Sequence, residues 1–145
     1  MADLVDAGVA FVTVGGIACA LNGYVRATED VDILVQRTDE NLGRLLGCLA
    51  GFGAGHASEL TLGDFPDEEG AVRIIEDFPL DVFVRMGGRS YDDLRPNVRI
   101  WTTGPVQLPY LDLEGLIALK QESLRERDRL DVLALRALRG RTPKA

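Results

Sequence analysis

Asp30 and Asp32 bracket a single valine at the head of TEDVDILV, and Asp81 stands alone inside the apolar run LDVFV. Residues two apart on a strand leave it from the same face, so Asp30 and Asp32 point one way while Val31, Ile33 and Val35 point the other. Their α-carbons then lie roughly 6–7 Å apart, within reach of one common centre. In LDVFV the same phase sends Leu80, Val82 and Val84 to one face and Asp81 to the opposite one. An unpaired carboxylate is costly to bury in so apolar a strand. Three converging carboxylates would raise one another's pKa, and a hard divalent cation relieves that conflict. Ligation by oxygen alone suits Mg²⁺ or Mn²⁺ better than zinc. Two such ions would align an attacking oxygen with a departing pyrophosphate. Replacing Asp81 by Asn is then expected to keep or raise the stability of the metal-free chain.

A second feature lies upstream. The run Ala10-Phe11-Val12-Thr13-Val14 reads as a buried strand that stops at Gly15-Gly16, where a short helix begins. A strand turning into a helix through two glycines exposes backbone N–H groups at the helix start, and the missing side chains let an anion come close. Arg26 and Thr28 occupy the loop between this turn and the acids. Arg26 either reaches a phosphate or pairs with Glu29. Arg85 shares the phase of Asp81 and would clamp phosphate or neutralise the acids. Lys120 lies on an otherwise apolar helix face and has the option of snorkelling to solvent. Asp128 and Asp131 read as capping and solvated acids of the last helix, His56 as an ordinary loop histidine, and Trp101 and Tyr110 as core or rim residues. Tyr24 and Tyr91 are candidates for stacking on a base.

The elements that must position these residues alternate in type. A helix over 17–21 ends at Asn22-Gly23, a good C-cap pair. A strand covers 30–35, and a helix over 39–52 carries Leu42, Leu45, Leu46 and Leu49 at helical spacing. After a loop-rich stretch over 55–70 come strands at 72–75 and 80–85, a short helix or turn at 90–95, and strands at 98–101 and 106–108. Asp112 caps a helix bearing Leu113, Leu116, Ile117 and Leu124. Leu130, Leu133, Ala134, Ala137 and Leu138 form the apolar set of a last helix. This order implies a mixed α/β (α+β) domain, with a small mixed sheet, helices packed against it and a C-terminal helical pair.

The 145 residues suit one domain over 1–145, with no repeat, linker or low-complexity tract. Apolar residues make up 46% and charged residues 27%, a globular balance. No apolar run approaches the roughly 20 residues of a membrane span, and the N-terminus shows no secretion signal. Cys19 and Cys48 read as buried thiols of a cytoplasmic protein, and with His56 they are too few for zinc. The net charge of −7 argues against binding nucleic acid through the overall field. Two local basic clusters survive it, Arg125, Arg127 and Arg129, and Arg136, Arg139, Arg141 and Lys144; solvated helix faces and a tail are their plainer reading.

VGG, a short helix, RATEDVDILV and then LDVFV, in this order, resemble the polymerase-β-like nucleotidyltransferase superfamily. Within it the chain looks most like the minimal bacterial branch that includes the AbiEii-type toxin nucleotidyltransferases and related uncharacterised proteins, a likeness that continues through MGGRSYDDL, LDLEGLIALKQ and RERDRLDVLAL. The resemblance implies a nucleotidyltransferase fold, with Asp30, Asp32 and Asp81 as metal ligands. It makes Asp81 the general base toward an acceptor hydroxyl. Gly15 and Gly16 would hold phosphates of a nucleoside triphosphate, and Lys120 would face that nucleotide. The acceptor would be RNA, a protein or a small molecule, with RNA the leading expectation and Arg125, Arg127 and Arg129 its guide, and an antitoxin protein would be the partner. Position 16 is Gly where active relatives often have Ser, so one hydroxyl is missing there. The alternatives are a small-molecule (antibiotic) nucleotidyltransferase and a catalytically decayed nucleotide- or protein-binding module.

Overall fold

In the computed structural model, which describes residues 2–28, 30–51, 59–75 and 79–139, Asp32 and Asp81 lie on two neighbouring interior strands of one sheet and Asp30 just ahead of the first. Along the chain the described elements are α1 (Ala2–Asp6), β1 (Phe11–Val14), α2 (Gly15–Leu21), β2 (Val31–Val35), α3 (Asp39–Leu49), β3 (Ala71–Ile75), β4 (Pro79–Phe83), α4 (Tyr91–Leu94), β5 (Val98–Thr103), β6 (Val106–Leu111), α5 (Leu113–Lys120) and α6 (Glu126–Arg139). Two single 3-10 turns, at Leu62–Asp64 and Arg95–Asn97, complete the order. The sheet runs β3-β4-β2-β1-β6-β5. β2 pairs parallel with β4 and β1 parallel with β6, while the other neighbours are antiparallel. This is the mixed α/β architecture expected from the order of elements.

Strand alternation divides the interior into two layers. Phe11, Ile33, Val35, Ile74, Leu80 and Val82 pack against Leu4 of α1, Leu42, Leu45 and Leu49 of α3, and Phe65. Val12, Val14 and Leu34 face the other way, onto Ala18 and Cys19 of α2, Leu116, Ile117 and Leu119 of α5, and Leu135 of α6. Asp32 and Asp81 alternate with the first set and therefore belong to the second face, at its edge. Two asparagines tie helices to the strands beside the site. Buried Asn41 of α3 accepts from the Ala10 amide at 2.7 Å and donates to the carbonyls of Ala10 and Gln36. Asn22 donates to Ala18 and, across to β6, to Leu111 at 2.9 Å. Asp112 caps α5 as expected, accepting from the Gly115 amide at 2.8 Å.

The structure departs from the sequence reading at the helices. α1 was not foreseen, because five residues bear too little pattern for a periodicity to register. α5 stops at Lys120, which leaves Leu124 outside it and 91% exposed. In α6, Leu130 and Leu133 face solvent, whereas Asp131, Val132 and Leu135 are buried. Among the described residues no helix is long and apolar enough to cross a membrane.

Candidate functional site

β2 and β4 run parallel with Asp32 directly opposite Asp81. Neighbouring strands lie about 4.8 Å apart, so this register alone brings the two carboxylates into contact range. Asp30 precedes β2 and adds a third, and one oxygen from each of the three acids lies within 4.8 Å of the others. The acids expected to converge do so.

Asp32 bears the strain of this proximity. Burial, followed by the charges of Asp81 and Asp30, lifts its pKa to about 6, against a smaller opposing pull from Lys120. Asp30 and Asp81 are compensated instead by Arg73 of β3, a residue not singled out from the sequence. Its Nε donates to Asp81 at 2.8 Å and its terminal nitrogen to the other Asp81 oxygen at 2.9 Å. That same nitrogen donates to Asp30 at 2.9 Å. In Val72-Arg73-Ile74-Ile75 an arginine stands among apolar residues, a pattern that gains its meaning only from the pairing of Arg73 with Asp81 across β3 and β4. Arg85, the expected neutraliser, turns to Asp67 at 2.9 Å and to the Gly88 carbonyl. β4 ends at Phe83, so Arg85 has left the strand phase it was thought to share with Asp81.

Gly15 and Gly16 open α2 directly beneath the acids. Gly15 has a φ of +68°, and a Cβ there would stand 2.3 Å from a carboxylate oxygen of Asp32. Only glycine gives this conformation cheaply and leaves Asp32 its room. At Gly16 a Cβ would meet the side chain of Thr28 at 2.7 Å, so Thr28 fills the space that a serine there would need. The Thr28 hydroxyl donates to the carbonyl of Asp30 at 3.1 Å, fastening the loop that carries that acid.

Arg26 and Lys120 meet at a different acid. Asp131, 1% exposed, accepts from Arg26 at 2.9 and 3.1 Å and from the Lys120 ammonium at 2.6 Å. Lys120 also reaches Asp128 at 3.2 Å, and Asp128 accepts from Ser123 at 2.7 Å. Lys120 therefore does not snorkel; it is buried in this ion-pair cluster, with its field extending to Asp32. Asp131 is not a solvated helix acid but the centre of the cluster. The alternative partner for Arg26, Glu29, lies outside the described residues, as do His56, Arg141 and Lys144. Tyr24 and Tyr91 are partly buried against the α5 layer, and Trp101 sits on edge strand β5, 43% exposed.

The donor set fits a hard divalent cation. Three carboxylates converge with no nitrogen or sulfur ligand among them, Gly15 gives the Asp32 carboxylate the room to join them, and a guanidinium already stands in as counter-charge.

No family model matches this chain, and no curated protein matches it. Its structure is similar to the crystal structure of a candidate nucleotidyltransferase from Thermotoga maritima, with a TM-score of 0.55 and 19% identity, over 96% of this chain and 89% of that one. The likeness shows a nucleotidyltransferase-like fold.

Proposed function

We propose that this chain is a metal-dependent nucleotidyltransferase, moving a nucleoside monophosphate from a nucleoside triphosphate to an acceptor hydroxyl. The observation that carries the reading is the convergence of Asp30, Asp32 and Asp81 within 4.8 Å at two neighbouring interior strands of a sheet of this fold. Asp30, Asp32 and Asp81 would hold Mg²⁺ or Mn²⁺, whose charge, when bound, offsets that of the triphosphate and of the leaving pyrophosphate. The acceptor oxygen attacks the α-phosphorus, the bond to the bridging oxygen breaks, and pyrophosphate departs. Asp81 is our candidate for accepting the hydroxyl proton.

Gly15 and Gly16 are our candidates for phosphate contacts, since the first-turn amides of a helix lack intrahelical acceptors and Val14 offers no side-chain cap. Thr28 supplies a hydroxyl next to Gly16, where the resembling proteins often carry a serine. Arg26 and Lys120 serve the nucleotide in this reading through the Asp131 cluster, by fixing the loop before Asp30. For the acceptor we propose RNA, on the strength of exposed Arg125, Arg127 and Arg129, with the chain acting in the cytoplasm as the toxin of a toxin–antitoxin pair. This finer assignment rests on the AbiEii-type resemblance.

Calorimetry with Mg²⁺ and nucleoside triphosphates tests the core of the reading. Metal-dependent nucleotide binding that disappears in Asp32→Ala is expected, and equal affinity with and without metal would sink it. Incubating labelled triphosphates with cell extract then identifies the acceptor. Labelled RNA supports the toxin reading, a labelled small molecule moves the assignment to an antibiotic-type transferase, and binding without any labelling leaves a nucleotide-binding module.

A further inference from the structure

Arg73 touches two of the three acids, and among the described residues it is the basic side chain that pairs with either of them. The other nearby cations are engaged elsewhere: Lys120 and Arg26 are balanced by Asp128 and Asp131, and Arg85 by Asp67. The guanidinium engages both oxygens of Asp81, and its shared nitrogen draws in Asp30, which stands in the loop before β2. One planar group thus spans a strand residue and a loop residue, a geometry suited to a bidentate fork and beyond a single ammonium. Arg73 comes from the edge strand β3, and its side chain remains 49% exposed, so no packing cage holds it against the acids.

Building on the functional reading above, we infer that Arg73 is a tethered counter-ion of the acidic site. It positions Asp30 and Asp81 while no divalent cation is present, and it competes with that cation for their oxygens. A cation drawn to all three acids needs an oxygen from each, while the fork engages both oxygens of Asp81 and one of Asp30. Entry of a second, stronger positive charge repels the guanidinium as well as displacing its hydrogen bonds. Arg73 then swings off at least Asp30, and its donors become available to the anionic substrate arriving on the same face. In this role Arg73 is a positioning residue that keeps the repelling acids assembled in advance, at a cost in metal affinity. A merely structural ion pair would be indifferent to metal.

Titration of Mn²⁺ alone into the full chain, followed by calorimetry near neutral pH, separates the two. Parent, Arg73→Met, Arg73→Lys and Arg85→Met would each be stripped of metal and checked for folding by circular dichroism. Arg73→Met is expected to bind Mn²⁺ at least about tenfold more tightly than the parent, having lost a competing charge within ion-pair distance. It should also melt lower than the parent in EDTA and recover that difference when Mn²⁺ is added. Arg73→Lys keeps the charge but loses the fork, so it should bind between the two, and Arg85→Met should match the parent. Should Arg73→Met fail to fold, Arg73→Lys binding more tightly than the parent carries the same conclusion. A folded Arg73 variant that binds Mn²⁺ no more tightly than the parent overturns this inference alone. A parent that takes up no Mn²⁺ overturns the functional reading and this inference with it.

Discussion

At the scale of single residues, the acids divide the site's charge unequally. Asp81 has both oxygens on Arg73 and Asp30 has one, whereas Asp32 has neither and is lifted from 3.8 to about 6. The relief that sequence reasoning attached to replacing Asp81 therefore moves to Asp32. Because the folded chain holds the Asp32 proton more tightly than the unfolded one, this group's stabilising contribution is fully present below about 4. It is lost as the pH rises through about 6. Without metal, Asp32→Asn should remove that loss. Melting curves in EDTA should show the variant gaining on the parent as pH rises from 4 toward 7 and exceeding it at neutrality; parallel curves would count against the raised pKa. Asp32 and Asp81 were legible because alternation in a strand is a strict rule of two, whereas Asp30, read as the first strand residue, stands just ahead of β2. Arg73 was not legible, since one arginine in a strand is ordinary until the neighbouring strand and its register are known.

Between elements, the contact of α5 with α6 depends on a buried charge. Lys120 from α5 and Arg26 from the loop before β2 converge on Asp131 of α6, so one carboxylate joins three parts of the chain. Removing one partner of a buried ion pair leaves the remainder uncompensated, typically at about 3–5 kcal/mol. Asp131→Asn should lose about that much in urea unfolding, because two cations lose the negative charge they share. A loss under about 1 kcal/mol would mean that water already solvates the cluster. The same burial explains why α6 was read with the wrong face inward. Counting apolar residues favoured Leu130 and Leu133, yet the inward face holds Asp131 beside Val132 and Leu135, and a hydrophobic pattern cannot represent a buried acid.

Over the whole molecule, element type and order were readable because β1 is a short apolar run ending at two glycines, β2 and β4 set single acids among apolar residues, and α3 repeats at helical spacing. The sheet order was not, since nothing in the composition of β4 says that it passes β3 to lie beside β2. The result is an acidic site on strands interior to the sheet, held by both core layers. Ligand binding there should stabilise the folded unit as a whole, by about 2.7 kcal/mol at a hundred times the dissociation constant. Differential scanning calorimetry with Mn²⁺ and nucleotide should move a single transition upward; a second transition that stays in place would show that part of the fold is uncoupled from the site.

The pairing of Asp32 with Asp81 also determines how such a site is written in a genome. The two positions meet through strand register, while the chain between them passes through α3, a 3-10 turn and β3. Surface connections tolerate insertion at small entropic cost, but a one-residue slip within β2 or β4 would exchange acid for apolar on both faces. What inheritance must preserve is thus phase within two short stretches, with the distance between them left free. Lineages with this arrangement can drift in length and in nearly every connecting residue until little alignable text remains, and still fold to bring the same carboxylates together.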